Sequence, residues 1–242
     1  MAPRRPPRGC QHTNSTRKGP CTVPNQTLAV SERLRALPVF PATLPTFEPD
    51  EVQAEPQELF LDWLDEAVEG GVPAPHVMTL STVDDGRAAA RVLILKDVTD
   101  QGWQFASRSD SPKGHQIAEH AHVALTFFWQ QLGRQIRISG QAASLGEAAG
   151  ARDFLARPEA SRASGLVGRQ SLPMHSMDEY REAYAAARER IAADPGIVAP
   201  TWTVYMVRPD TVEFWQASHE RAHIRLRYER GTSGWRTERL WP

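Results

Sequence analysis

Between His76 and Ala143 the chain reads as five strand-like runs joined by tight turns, with one short helix among them. That pattern constrains the fold more than any other feature. The runs are His76 to Val83, Ala88 to Lys96, Trp103 to Ser107, Val123 to Trp129 and Gln135 to Ala143. Two connections, Asp84-Asp-Gly-Arg87 and Asp100-Gln-Gly102, carry hairpin signals. More strands are predicted after residue 200: Thr201 to Arg208, Thr211 to Ala217, Ile224 to Glu229 and Trp235 to Trp241. Strands joined by tight turns, with few helices between them, argue against a doubly wound parallel sheet. No G-x-G-x-x-G follows a strand, which removes the usual dinucleotide site. The expected architecture is mainly β: an antiparallel barrel with packed helices.

The helices follow from apolar spacing. Phe60, Trp63, Leu64, Ala67 and Val68 recur at helical intervals before Gly70-Gly71. Pro112 to His120, Glu147 to Ala156 and Met177 to Ala193 are the other helical stretches, the last with Tyr180, Tyr184, Ala187 and Ile191 on one face. Residues 1–50 differ in kind. They are rich in proline, hold Arg4, Arg5, Arg8, Arg17 and Lys18, and have no acid before Glu32. Such a composition cannot bury enough apolar surface to fold alone. A largely disordered arm of residues 1–50 is therefore expected to precede one domain of residues 51–242, with Leu37 to Pro49 free to lie over it.

A net charge of −1 argues against nucleic-acid binding by the whole chain. No apolar run reaches the roughly 20 residues that span a bilayer, and no signal-peptide core follows Met1. The only cysteines, Cys10 and Cys21, lie with His12 in a spacing that matches no zinc site. The expectation is a cytoplasmic protein with no bound metal, no disulfide framework and neither nucleic-acid nor membrane partners.

Several segments carry chemistry. Arg91-Val-Leu-Ile-Leu-Lys96 sets a cation at each end of an apolar strand. Ser107-Arg-Ser-Asp-Ser-Pro-Lys-Gly114 leaves a strand and opens a helix, with Ser111 as N-cap, Pro112 as first helical residue and Lys113 adding charge. Helix N-termini suit phosphates; simple capping explains the same residues. Strict alternation from Gln135 to Ser139 puts Gln135, Arg137 and Ser139 on one strand face. Arg157, Ser161, Gln170 and Ser171 fall in a loop-rich connection. Between Glu213 and Tyr228 the chain crowds aromatics, histidines and arginines. Trp215, Arg221, His223 and Arg225 occupy odd positions, which share a face if the backbone is extended. That face would offer a flat apolar surface, fixed positive charge and an imidazole to a flat anionic ligand.

In this order the segments R-V-L-I-L-K (91–96), S-P-K-G (111–114), R-Q-I-R-I-S-G (134–140), A-R-P (156–158), R-Q-S (169–171), E-F-W-Q (213–216) and R-A-H-I-R-L-R-Y (221–228) resemble the pyridoxamine 5'-phosphate oxidase family. The resemblance covers about Pro56 to Pro242. It implies an FMN-binding split β-barrel and a homodimer with the flavin at the interface. It also implies an oxidase that converts pyridoxine or pyridoxamine 5'-phosphate to pyridoxal 5'-phosphate, with O2 giving H2O2. By the same resemblance, Arg91, Val92, Leu93, Ser107, Lys113, Gln135, Gln170, Ser171, Trp215 and Arg225 would hold FMN. Lys96, Asp153, Arg157 and Ser161 would line the substrate-phosphate site. Arg221 and His223 would face the reacting part of the substrate as catalytic residues.

The chain also departs from the family pattern. Asp153 stands where a tyrosine is usual in the phosphate set, Pro112 where an arginine precedes the lysine, and Ile224 where an aspartate follows the histidine. The R-E-Y-like segment that covers the vitamer is not recognisable. A related branch, the phenazine-biosynthesis oxidases, shares the barrel and FMN but acts on reduced tricyclic precursors. That is the alternative enzyme reading. A flavin-binding protein without turnover is the alternative from another class.

Overall fold

The structure, a computed structural model, describes residues 29–242. Two compact units divide the chain, Met1–Pro38 and Val39–Pro242. In the first, helix α1 (Val30–Arg35) has no buried residue. Cys10, His12, Cys21 and the basic residues up to Lys18 lie outside the described residues. The second unit takes in residues 39–50, which composition alone groups with the arm. Phe47 is buried against Trp63, with ring centroids 4.9 Å apart.

The second unit is built on eight strands: β1 (Val77–Asp84), β2 (Arg87–Thr99), β3 (Gly102–Arg108), β4 (His122–Trp129), β5 (Arg134–Ser144), β6 (Trp202–Gln216), β7 (Ile224–Gly231) and β8 (Gly234–Arg239). Every pairing is antiparallel. The order is β3-β2-β1-β4-β5-β6-β7-β8, and β3 also pairs with β6. Six strands thus close into a barrel, and β7 and β8 extend beyond it from β6. Closure removes the exposed edges of an open sheet. The β1–β2 hairpin turns through Asp85 and Gly86, both at positive φ, as a two-residue turn of the primed type requires.

Helix α2 (Pro56–Glu69) fills the core. Phe60 is fully buried against Trp103 and Phe127, at 5.5 and 5.0 Å between centroids, and Trp63 meets Phe214 at 5.1 Å. The buried stripe is Leu59, Phe60, Trp63 and Ala67. Val68, expected on it, is 60 % exposed, because it lies about 100° round the helix from buried Ala67. Arg134 is 2 % exposed and is held by Glu66 at 2.8 Å, by the Trp63 face at 4.1 Å and by Gln216. It ties α2 to β5.

Two expectations change in the structure. Thr201–Arg208 and Thr211–Ala217 are one strand, β6, running through Pro209 and Asp210. A shift in register opposite Ser139 and Gly140 absorbs the extra residue. A Cβ on Gly140 would lie 2.1 Å from the Arg208 carbonyl oxygen, so only glycine permits this close crossing. The connection around Ser161 holds a helix, α5 (Glu159–Val167), between α4 (Glu147–Ala156) and α6 (Met177–Ala193). Its Ala163 packs with Ala187 and Ile191. At nine residues α5 is short, and its serines and glycine are weak helix formers, which hides it in the sequence.

Candidate functional site

Strand β2 presents alternate residues to opposite sides, so Arg91 and Lys96, five apart, serve different neighbourhoods. Arg91 is half-buried. Its guanidinium donates to Thr82 Oγ1 at 2.6 Å, to Gln116 Oε1 at 2.8 Å and to the Leu80 carbonyl at 3.3 Å. Helix α3 (Pro112–Glu119) begins beside it. Ser111 caps that helix by accepting from the Gly114 N–H at 3.3 Å, and Pro112 takes the first helical position. The cap aims Lys113 inward, where it is 6 % exposed and donates to Gln170 Oε1 at 3.1 Å and Ser111 Oγ at 3.3 Å.

The partners of Arg91 and Lys113 are neutral. Burial, then the charge of Arg91, hold the Lys113 ammonium below the ordinary lysine range. Burial likewise lowers Arg91, and the charge of Asp84 opposes this without outweighing it. Two close, desolvated cations without a carboxylate contact leave an anion's worth of charge uncompensated. Lys113, Ser107, Leu93 and Gln170 line a cavity of about 420 Å³. Gln170 reaches it from a loop in which Gly168, Arg169 and Ser171 all have positive φ, 69°, 55° and 68°. For the two non-glycine residues that conformation is strained, and such strain gathers at ligand sites. Ser171 itself is exposed and does not line the cavity.

A second cavity, about 450 Å³, is lined by Val92, Lys96, Asp153, Arg157 and Ser161. Leu93, Ala106, Arg157 and Trp202 line both cavities. The whole predicted phosphate set is thus brought together, with one internal pairing. Asp153 binds Lys96 at 3.1 Å and accepts from the Trp202 indole N–H at 2.8 Å. Arg157 lies over the Trp202 ring at 4.0 Å, and its buried Nη1 has no hydrogen-bond partner. Burial lowers Arg157 from its ordinary value, with Asp153 opposing. Trp202 was not expected in the site; a lone tryptophan opening a strand gives no signal of this.

The remaining predicted residues form a third group. Trp215, Arg221, His223 and Arg225 do not share one strand. The chain reverses at 217–223, with Arg221 at φ 66°, and the face is assembled across a hairpin. Gln135, Trp215 and Arg225 stand in register on β5, β6 and β7. The His223 ring lies 4.8 Å from Trp215. His223 Nδ1 accepts the Ser218 N–H at 3.0 Å. In the neutral ring the proton then sits on Nε2, which presents a donor. Phe40 covers the other part of Trp215 at 5.9 Å. Beside them Glu213, nearly buried, binds Arg225 Nε at 2.9 Å and Arg137 more closely. Burial pushes this carboxyl up, but the bonds from Arg225 and Arg137 outweigh it and hold it below the ordinary range. Neither cavity described above is lined by Gln135, Trp215, Arg221, His223 or Arg225. Among the described residues there is no group of three metal-ligating side chains and no helix long and apolar enough to cross a membrane.

The chain matches known proteins over most of its length. A family model described as "Pyridoxamine 5'-phosphate oxidase" matches residues 64–216. One described as "Pyridoxine 5'-phosphate oxidase C-terminal dimerisation region" matches residues 202–242. The chain is 36 % identical to a pyridoxine/pyridoxamine 5'-phosphate oxidase of Rubrobacter xylanophilus, over 80 % of this chain and 89 % of the relative. It is 38 % identical to one of Bordetella petrii, over 80 % and 92 %. Among solved structures it resembles PhzG from Burkholderia lata in complex with tetrahydrophenazine-1-carboxylic acid. The TM-score is 0.75 at 31 % identity, covering 82 % of this chain and 99 % of that one.

Proposed function

The chain belongs to the pyridoxamine 5'-phosphate oxidase family, and from that premise we propose that it is an FMN-dependent oxidase of pyridoxine and pyridoxamine 5'-phosphate, acting as a homodimer. The observation that carries the cofactor reading is the pair of cations, half-buried Arg91 and buried Lys113, with only neutral hydrogen-bond partners. A phosphate supplies the missing charge, and one compact cationic set suits one phosphate, as in FMN. Val92 and Leu93 would contact FMN beside Arg91, with Ser107 near its phosphate, and Gln170 and Ser171 would help complete the flavin site. Gln135, Trp215 and Arg225 would meet the flavin ring. The chemistry that FMN supplies when bound is two-electron oxidation of the substrate with O2 as acceptor, giving H2O2.

The chain's own residues do the rest. Arg157, Ser161 and Lys96 bind the substrate anion. Arg221 and the Nε2–H of His223 orient the reacting end as donors. Trp215 gives a flat wall that excludes water. The Trp215 group lines neither cavity of its own chain, and a second copy can bring it to them. The exposed apolar Val92 and Ile94 of β2 offer surface for such a copy.

A second reading has its own observation. Asp153 pairs with Lys96, so among the described residues the charges of Lys96, Arg157 and Asp153 in this pocket sum to a single positive charge. That favours a substrate with a smaller charge than a phosphate dianion, such as a carboxylated reduced heterocycle. One measurement tests the cofactor that both readings share, and a second separates them. Cofactor released by heat should chromatograph as FMN; FAD, or no flavin after reconstitution, defeats the cofactor reading. Wild type and Asp153→Tyr should then be compared on phosphorylated and unphosphorylated vitamers. The vitamer reading expects the substitution to raise kcat/KM for pyridoxine 5'-phosphate by about tenfold, or roughly 1.4 kcal/mol. Absence of turnover on either vitamer in both proteins defeats the vitamer reading, and oxidation of a carboxylated reduced heterocycle would then select the second.

A further inference from the structure

Glu213 lies at the middle of an outward-facing row on β6. In register it pairs with Arg137 on β5 and Arg227 on β7, and Arg225 stands diagonally across, opposite Trp215. Its carboxylate is committed at both oxygens, Oε1 to Arg225 Nε at 2.9 Å and Oε2 to Arg137. Arg225 is gripped a second time, since its Nη1 donates to the Trp241 carbonyl at 2.9 Å. The Leu240 N–H in turn donates to the Arg225 carbonyl at 3.0 Å. Two of the three guanidinium nitrogens are therefore fixed from behind. Among the described residues Nη2 has no partner, and it is the one left for a ligand on the Trp215 face. A long, flexible arginine side chain loses rotamer entropy when a ligand fixes it. Fixing it beforehand removes that cost from ligand binding.

The group also has a charge balance. Two arginines and one carboxylate leave a net charge of one, where Arg225 and Arg137 alone would carry two. A negative charge nearly buried at 2.9 Å from Arg225 reduces the field that arginine projects onto a neighbouring ligand.

We propose that Glu213 is a positioning residue with an electrostatic function. It locks Arg225 for the flavin and tempers the positive field there, which limits how strongly the site favours the reduced, anionic flavin; this presupposes the FMN reading above.

Two substitutions separate orientation from charge. Glu213→Gln keeps an acceptor for Arg225 but removes the negative charge. Its flavin two-electron midpoint potential should rise by about 30 mV, equivalent to roughly tenfold tighter binding of reduced over oxidised FMN. Its affinity for oxidised FMN should stay within about threefold of wild type. Glu213→Ala removes both functions and should weaken FMN binding by about tenfold. That loss should vanish in an Arg225→Ala background, since it acts through Arg225. An unchanged potential in Glu213→Gln overturns the electrostatic claim. A Glu213→Ala loss that persists without Arg225 overturns the positioning claim. If Glu213→Ala fails to fold, the potential of Glu213→Gln decides alone. A wild-type protein that binds no flavin defeats the cofactor reading instead, and is seen first.

Discussion

Lys113 concentrates the physics of the site in one side chain. Burial and the neighbouring Arg91 hold its ammonium below the ordinary lysine range. A bound phosphate would add the missing opposite charge and raise that value again. Phosphate binding should therefore take up a proton once pH exceeds the lowered value, and FMN affinity should fall there, before free lysine titrates at roughly 10.4. Stability of the flavin-free protein has the opposite slope. The unfolded chain binds more protons in this window, so stability rises with pH up to the ordinary lysine value. Titration of apoprotein with FMN from about pH 7 to 10, by flavin fluorescence, checks the first sign. Lys113→Ala should weaken FMN binding ten- to a hundredfold, since a charge-assisted hydrogen bond contributes about 1.5–3 kcal/mol. It should also flatten the alkaline dependence. Pro112 stands beside it where a second cation would give backup. Equal affinity in mutant and wild type would remove Lys113 from the phosphate site.

Among the elements, α2 and β6 decide most. Helix α2 supplies the aromatic plug, and Phe60 touches three rings, Trp103, Phe127 and Trp129. Phe60→Ala should cost about 3–5 kcal/mol through lost burial and the cavity left behind. In a domain of this size that lowers Tm by roughly 10 °C, as calorimetry would read. Val68→Ala, on the same helix but exposed, should change stability by less than about 0.5 kcal/mol. A large effect at Val68 would mean that the solution stripe extends further round the helix than the structure has it. Strand β6 serves a different end. Its first half closes the barrel against β3, and its second half carries Glu213 and Trp215 between β5 and β7. The bulge opposite Gly140 lets one strand do both, by re-aiming its second half.

At the scale of the whole molecule, the two cavities and the Trp215 face are separate features of one chain, and the proposed enzyme needs a second copy to join them. Light scattering across dilution should show a dimer, and flavin should be lost as the dimer dissociates. A monomer holding stoichiometric flavin would break the proposal. The barrel itself was legible in the sequence, because period-two alternation and the Asp85-Gly86 turn are local signals, set by side-chain pleat and backbone sterics. The same holds for the Ser111 cap and for the helices from Glu147 and Met177. Of the candidate site, the sequence by itself determined which residue types are present and in what order: Arg91, Lys113, Arg157, Gln170 and the aromatic–basic hairpin. It did not determine which charges stay free. Only the tertiary structure decided that Asp153 binds Lys96 while Arg157 keeps an unpartnered nitrogen, that Glu213 grips Arg225, and that Trp202 joins two cavities. Each of those depends on distances between segments far apart along the chain. Electrostatic pairing falls off with distance and with exposure to water, and no local pattern records either.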